Sequence, residues 1–398
     1  MTTTQDKTFL PKAKMDSMLV RVLISFLTTA GLFYVNIMPA LIDGFKQALH
    51  FSNQQAGFIS SVNAYGTAVG AFSVIFYIKK INWRVTVALL LLALIAIDLS
   101  CIAITDPKTL AWVRFLHGCV GGSLVGIGFA VTARTKDSDK TFGVLLVVQF
   151  GLGGLGMMYI PQLVPQFGIG VLYLSLVAFS TVTLLMLPFI SDYKLGKDIK
   201  KLKSSSWKLL SQKPLQFTLA SIFLFQAANM GLYAFIFGLG KHYGLSLEFL
   251  SISLAWAAWI AILGPLLVIW MSTRFGLIKP LAIGIFFTVI GTFILLYSDI
   301  KLIWIIANIG VGITWAFVNP YLFSLCSRLD ENGQVAAMGS VASKLGLATG
   351  PAVVGVLLAS DNYAFVIIIA SLVLLLSLIT SLLAAKLVEQ SQTLHNKT

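Results

Sequence analysis

The sequence predicts an all-α membrane protein with twelve transmembrane helices, arranged as two pseudo-symmetric six-helix bundles. Low charge, high hydropathy and a regular series of long apolar runs lead to this prediction. Only 11% of the 398 residues are charged and 58% are hydrophobic, and the mean hydropathy is +0.90. Soluble domains carry about 25% charged residues, so this chain has too few to cover a surface in water. We therefore expect it to lie in a lipid bilayer.

Twelve apolar runs are long enough to cross a membrane, which takes about 20 residues at a rise of ~1.5 Å per residue. Most loops between them are short, and the exception is a Lys- and Ser-rich segment between the sixth and seventh runs. We therefore predict a first bundle in 1–190, a cytoplasmic linker in 191–214 and a second bundle in 215–398. The runs are 19–42, 54–78, 85–105, 109–132, 142–161, 168–190, 215–238, 248–271, 278–298, 302–326, 335–359 and 363–385.

The two halves resemble each other at an offset of 192 to 195 residues. Matches at corresponding loop and helix positions indicate a duplicated six-helix unit. Two such units that rock about a central site are a common transporter design. The matching pairs are Ser52 and Ser246, Lys80 and Arg274, Arg134 and Arg328, Gly151 and Gly346, and Trp112-x5-Gly118 with Trp304-x5-Gly310.

The basic residues divide unequally between the two sides of this topology. Of 28 Lys and Arg residues, 22 lie on one side, four on the other and two inside apolar runs. Loops on the cytoplasmic side of membrane proteins carry the excess of Lys and Arg. This predicts a multi-pass protein of the plasma membrane (the inner membrane of a bacterium) with both termini cytoplasmic. The net charge of +13 therefore does not indicate a nucleic-acid partner.

Motifs for covalent or cofactor chemistry are not found in the sequence. The three cysteines fall in or beside apolar runs, without the spacing of a metal site or a disulfide framework. A Gly-x-x-x-x-Gly-Lys-Ser/Thr loop for nucleotides does not occur. We therefore expect a monomer without cofactor, metal site or enzymatic activity, whose partners are the lipid bilayer and a small molecule.

Four ionisable residues lie well inside predicted helices, where each needs a partner or a function. They are Asp98, Arg114, His117 and Lys344. Lys344 lies about ten residues into the eleventh run, so ~15 Å deep. No carboxylate is predicted at that depth, which favours contact with a substrate or coupling ion over a buried ion pair.

Arg114 and Asp98 are equally far from Asp106, at the centre of the loop between the third and fourth runs. They therefore lie at similar depth, and an intramembrane salt bridge is one interpretation. The other is an Arg114 that faces a cavity and binds an anion through its planar guanidinium. His117 shares a helical face with Arg114 and titrates near neutral pH. It is either a proton carrier, with Asp98, or a neutral hydrogen-bonding group.

Uncharged polar residues form a second set of candidates inside the runs. Gln226, Asn229 and Tyr233 share a helical face, which either lines a cavity or joins helices. Gln149 is the repeat counterpart of Lys344 within one residue. The full set of uncharged binding candidates is Tyr34, Asn36, Gln149, Gln226, Asn229, Tyr233, Trp315 and Asn319.

Several local patterns resemble motifs of the major facilitator superfamily, and the resemblance covers essentially the whole chain. The loop after the second run, 79–84, and its repeat counterpart, 273–276, resemble the basic Asp-Arg-x-Gly loop of that family without its Asp. Arg114-Phe115-Leu116-His117-Gly118 resembles its Arg-x-x-Gln-Gly pattern, with His in place of Gln, and 151–156 resembles its glycine-rich antiporter motif.

The resemblance implies a central cavity lined by the first, fourth, seventh and tenth helices, which carry most of the polar candidates. It also implies that Lys80, Arg84 and Arg274 belong to gating loops. A lysine in the eleventh helix is similar to the arrangement in family members that carry small dicarboxylates.

We therefore expect a secondary active transporter that moves a small organic anion, a carboxylate, by alternating access, with a proton as the candidate coupling ion. Lys344 and Arg114 would neutralise the anion. Two alternatives stay open. One is proton-coupled efflux of a drug, metabolite or siderophore, and the other is a non-transporting membrane receptor or assembly factor of the same fold.

Overall fold

The computed structural model describes residues 12–78, 80–193, 212–271, 274–329 and 334–395. Within these residues, twelve helices are long and apolar enough to cross a membrane, which confirms the predicted number. Most of the linker predicted at 191–214 lies outside the described residues.

We number the spans 1 to 12 in chain order. The end at which span 1 begins and span 12 finishes is called the N/C end, and the opposite end is called the far end. Spans 1 to 6 are Met18–Asn36 with Met38–Leu49, Asn53–Tyr77, Trp83–Cys101, Pro107–Thr132, Ser138–Phe167, and Gly170–Met186 with Leu187–Phe189. Spans 7 to 12 are Lys213–Ala234 with Ile236–His242, Leu247–Ile260 with Leu263–Met271, Ile278–Phe293 with Ile294–Tyr297, Lys301–Leu329, Gln334–Leu357 with Leu358–Ser360, and Tyr363–His395.

Spans 1 and 7 break at equivalent points. Ile37 separates the two helices of span 1 with φ −103° and ψ 15°, and Phe235 separates those of span 7 with φ −105° and ψ 15°. Only span 1 has a proline at the start of its second helix. The shared geometry therefore reflects the pseudo-symmetry of the two bundles rather than proline alone.

Three Gly-Pro or Asn-Pro pairs inside the spans behave differently. Span 8 is interrupted at 261–262, and its second helix begins at Leu263, followed by Gly264 and Pro265. Pro320 and Pro351, in contrast, lie inside continuous helices. A proline removes one helical hydrogen bond, and in a packed bundle neighbouring helices can still hold the helix together.

Span 5 is longer than its predicted range: it extends from Ser138 to Phe167 and contains Pro161 and Pro165. The predicted range, 142–161, covered only the apolar part. The helix continues because backbone hydrogen bonding does not depend on side-chain polarity.

Spans 2 and 4 pack with their backbones in contact. A Cβ on Gly118 would lie 2.0 Å from the carbonyl oxygen of Asn63, and one on Gly66 would lie 2.3 Å from that of Phe115. No side chain fits at these distances. Small residues of this kind allow close helix packing in membranes, where the hydrophobic effect does not drive association.

Bonds between the bundles are found, among the described residues, at the far end and near the middle of the spans. At the far end, Lys241 forms an ion pair with Asp43, and Asn53 donates to Asp361 at 2.8 Å and to the carbonyl oxygen of Leu358 at 2.9 Å. Near the middle, bonds join spans 2 and 11, 7 and 1, and 8 and 5. These pairs are Tyr65 with Thr349, Tyr233 with the carbonyl oxygen of Asn36, and Trp259 with that of Gly151.

Candidate functional site

Lys344 lies on the face of span 11 that meets the first bundle. It precedes Pro351 by seven residues and therefore shares its helical face, and the carbonyl oxygen of Pro351 is packed against Gly57 of span 2. Lys344 is partly exposed, about 15 Å along span 11 from the N/C end. Among the described residues, its ammonium has neither a hydrogen bond nor an ion pair.

The pseudo-symmetry explains why Lys344 is unpaired. Its counterpart Gln149 donates to Oδ1 of Asn36 at 3.1 Å, and Asn36 donates back to the Gln149 carbonyl oxygen at 3.3 Å. Asn36 directly precedes the break of span 1. The residue directly before the break of span 7 is Ala234, which offers no polar group to Lys344.

Next to Lys344, a network of side chains joins spans 7, 10 and 11. Gln226 donates to Oδ1 of Asn319 and to Oγ of Ser343, both at 2.9 Å. Trp315 donates from Nε1 to Oε1 of Gln226 at 2.9 Å. The structure thus brings together three predicted residues, and it adds Ser343, which sequence reasoning did not single out among many serines in apolar helices.

Arg114 lies inside the first bundle rather than in the space between the bundles. Its side chain is fully buried, and its Nη2 lies 2.8 Å from Oδ1 of Asp98, whose side chain is 1% exposed. The rings of Tyr34 and Tyr173 cover the guanidinium, with its carbon 5.7 and 4.9 Å from their centroids. Arg114 therefore forms the salt bridge with Asp98 in this conformation, which is the first of its two interpretations.

His117 belongs to the same cluster and has a defined tautomer. The amide nitrogen of Asn63 donates to the carbonyl oxygen of Arg114 at 2.9 Å and lies 2.8 Å from Nδ1 of His117. Because that nitrogen is a donor, Nδ1 accepts and Nε2 carries the ring proton. Nε2 faces Oδ2 of Asp98 at 3.4 Å. Asn63 was not predicted, because an isolated asparagine in an apolar run gives no sign of its partner.

The other uncharged candidates are spread over the molecule. Tyr34 is buried in the Asp98 cluster, with its ring 5.6 Å from that of His117. Asn229 donates to the carbonyl oxygen of Phe225 in its own helix at 2.7 Å. Tyr233 donates across the bundles to the Asn36 carbonyl oxygen at 3.2 Å.

A separate apolar cleft of about 410 Å³, open to the surface, lies between spans 1, 5 and 8. It offers packing for apolar groups and no charged partner. Its lining residues are Phe26, Val147, Val148, Gly151, Leu152, Leu155 and Trp259.

The comparisons with known proteins decide the family. A family model described as Major Facilitator Superfamily matches residues 22–343. The chain belongs to the major facilitator superfamily. No curated protein sequence matches the chain.

Solved structures agree with this assignment. A crystal structure of the nucleoside transporter NupG superimposes with a TM-score of 0.73 at 14% identity, over 92% of this chain and 99% of the other. A second, of a NupG mutant, gives 0.70 at 14% identity over 94% and 98%. At this identity the likeness shows the fold alone. Family and fold together support a secondary transporter for a small molecule.

The predicted gating loops of this superfamily member lie at the N/C end. Arg84 forms an ion pair with Asp192 at 2.5 Å, and Lys12 pairs with the same carboxylate. The hydrogen bond from Lys12 and the charge of Arg84 hold the pKa of Asp192 below its usual value. These contacts stay within the first bundle. Lys80 and Arg274 are exposed.

Proposed function

We propose that this protein carries a small organic anion, a carboxylate, which binds at Lys344 between the two bundles. The ammonium of Lys344, without a counter-charge among the described residues, is the observation that carries the proposal. A charge at this depth costs several kcal/mol unless it is paired. A bound carboxylate would supply the missing negative charge and accept charge-assisted hydrogen bonds.

The network of Gln226, Trp315, Asn319 and Ser343 supports the same location. It fixes spans 7, 10 and 11 beside Lys344, so that the ammonium would be presented by a rigid wall. The NupG structures carry the printed description of a nucleoside transporter. A nucleoside is uncharged and would leave Lys344 unpaired, which is why we favour an anion for this chain.

Alternating access would proceed by motion of one bundle against the other. The ion pair of Asp43 with Lys241 and the bonds of Asn53 join the bundles at the far end, which supports a conformation closed at that end. The distribution of Lys and Arg supports a cytoplasmic N/C end in a plasma or bacterial inner membrane. We propose a proton as the coupling ion, with His117 and Asp98 as its site.

Uptake into proteoliposomes tests the proposal. Labelled carboxylates, nucleosides and organic cations are offered to the wild type, to Lys344→Ala and to Lys386→Ala, whose lysine is exposed near the N/C end of span 12. We expect saturable carboxylate uptake that Lys344→Ala abolishes and Lys386→Ala retains. Full carboxylate uptake by Lys344→Ala, or uptake of nucleosides alone, would refute the proposal. Absence of transport for every class would favour a receptor or assembly factor.

A further inference from the structure

We infer that the anion carried at Lys344 bears one negative charge, so that the cargo is a monocarboxylate and not a dicarboxylate. This inference rests on the proposed function, because it takes Lys344 as the binding cation. It also departs from the expectation that Lys344 and Arg114 together neutralise the cargo.

The first step is that Arg114 is already neutralised. Asp98 lies at ion-pair distance, both side chains are buried, and the rings of Tyr34 and Tyr173 flank the guanidinium. An anion could reach Arg114 only by separating it from Asp98, which would leave a buried carboxylate unpaired. Breaking a buried pair in this way is strongly unfavourable.

The second step is that two further buried or partly buried basic side chains near the ends of the spans have acidic partners. Lys241 pairs with Asp43 at the far end, and Arg21 pairs with Asp137 at the N/C end, 2.7 Å apart. Among the described residues, Lys344 is therefore the single cation in the middle of a span without a carboxylate.

The third step concerns the hydrogen-bond donors of Gln226 and Trp315, next to Lys344. Both protons of the Gln226 amide are used, by Asn319 and Ser343, and the indole proton of Trp315 is used by Gln226. A second carboxylate would therefore find no free proton on Gln226 or Trp315. It would remain a net negative charge in a site of low dielectric, where an uncompensated charge is costly.

One carboxylate on Lys344 gives a site with no net charge, whereas a dicarboxylate gives a site with one excess negative charge. We expect at least about tenfold weaker binding for the dianion, since a factor of ten corresponds to only ~1.4 kcal/mol.

Matched probes isolate the charge from the size of the ligand. Each set has a monocarboxylate, the dicarboxylate of the same skeleton, and its monomethyl ester, which restores a single charge at similar length. The sets are butyrate, succinate and monomethyl succinate; hexanoate, adipate and monomethyl adipate; and benzoate, phthalate and monomethyl phthalate. Affinities for the purified protein are measured by calorimetry at about pH 7.5, where the carboxyls are ionised.

We expect the monocarboxylate and the ester of at least one set to bind about tenfold or more tightly than the matching dicarboxylate. Lys344→Gln should abolish this binding and Lys386→Ala should leave it. The charge-neutral double variant Asp98→Asn/Arg114→Gln should keep the preference for one charge.

Four results would overturn the inference. Dicarboxylate binding that equals or exceeds monocarboxylate binding and is lost in Lys344→Gln would refute the single charge and leave the proposed function standing. A charge preference that reverses in the double variant would place Arg114 in the binding site. It would likewise refute the single charge and leave the proposed function standing. No binding by any probe, or binding unchanged in Lys344→Gln, would refute the proposed function as well.

Discussion

The carboxylate of Asp43 and the ammonium of Lys241 occupy equivalent positions in the two bundles and bind each other. Each lies six residues after the break of its span, at Ile37 and at Phe235. Lys241 Nζ is 2.7 Å from both carboxylate oxygens. Equivalent residues meet in this way only where the pseudo-twofold axis passes between them, so the pair joins spans 1 and 7 at the far end.

Removing this ion pair should favour opening of the far end. The Lys241 side chain is 32% exposed, so we expect Asp43→Asn to weaken the closed far end by about 1 kcal/mol, roughly a fivefold change in population. Spin labels on cysteines introduced at Gln54 and Asn362, in a background without the native cysteines, measure the distance across the far end. The long-distance population should grow in Asp43→Asn.

The exchanged pair Asp43→Lys/Lys241→Asp is the control, because it restores opposite charges. Its distance distribution should return toward that of the parent. An unchanged distribution in Asp43→Asn would mean that the other bonds at this end, such as Asn53 to Asp361, keep it closed.

The pair of Arg114 and Asp98 should behave as a stabilising unit of the first bundle. Arg114→Gln or Asp98→Asn alone leaves one buried charge unpaired, which costs about 3–5 kcal/mol. The double variant removes both charges and should recover much of the loss. Thermal unfolding of the purified variants in detergent measures this. Single variants that keep the parental Tm but fail to bind substrate would instead place Arg114 in the binding site.

The fold was predictable from the sequence, because span length and the repeat offset report on it directly. The environment of individual side chains was not predictable from the sequence. Trp112-x5-Gly118 and Trp304-x5-Gly310 match in sequence, yet Trp112 is 73% exposed and Trp304 is fully buried with its Nε1 bonded to Ser253 at 2.9 Å. Which face of a helix meets a neighbour depends on its rotation within the bundle, and apolar runs that are hydrophobic all round do not encode that rotation.

The candidate site was predictable only in part: the depth of its charged residues was, and their partners were not. The depth of Lys344 and of the Asp98–Arg114 pair follows from counting residues along helices. Partners on distant spans, such as Ser343 for Gln226 and Asn63 for His117, depend on tertiary packing. Charged residues stand out in an apolar run, whereas serines and asparagines do not.

The two glycines of the matching pattern give a controlled test of span packing. Gly118 touches the backbone of Asn63, whereas a Cβ on Gly310 would meet nothing within 4 Å. We expect Gly118→Ala to lower stability by about 1–3 kcal/mol, as overpacking does. Gly310→Ala should be neutral or slightly stabilising, because alanine favours the helix by about 0.5–1 kcal/mol. Thermal unfolding of both variants decides this, and equal losses would contradict the packing difference.

The proposed proton site at His117 can be tested with a neutral replacement of matching hydrogen bonds. In His117→Gln, the side-chain oxygen can accept from Asn63 and the amide nitrogen can donate toward Asp98, as the Nε2–H imidazole does. We therefore expect the variant to fold and to bind the anion.

Glutamine does not titrate near neutral pH, whereas histidine does. If His117 carries the coupling proton, uptake by the parent protein should depend on the pH on one side of the membrane. His117→Gln should lose this pH dependence. It should still exchange anions across the membrane. Initial uptake rates over a pH series, with the anion gradient held constant, measure both properties. A variant with the parental pH profile would exclude His117 as the proton carrier and leave it as a hydrogen-bonding group between spans 2, 3 and 4.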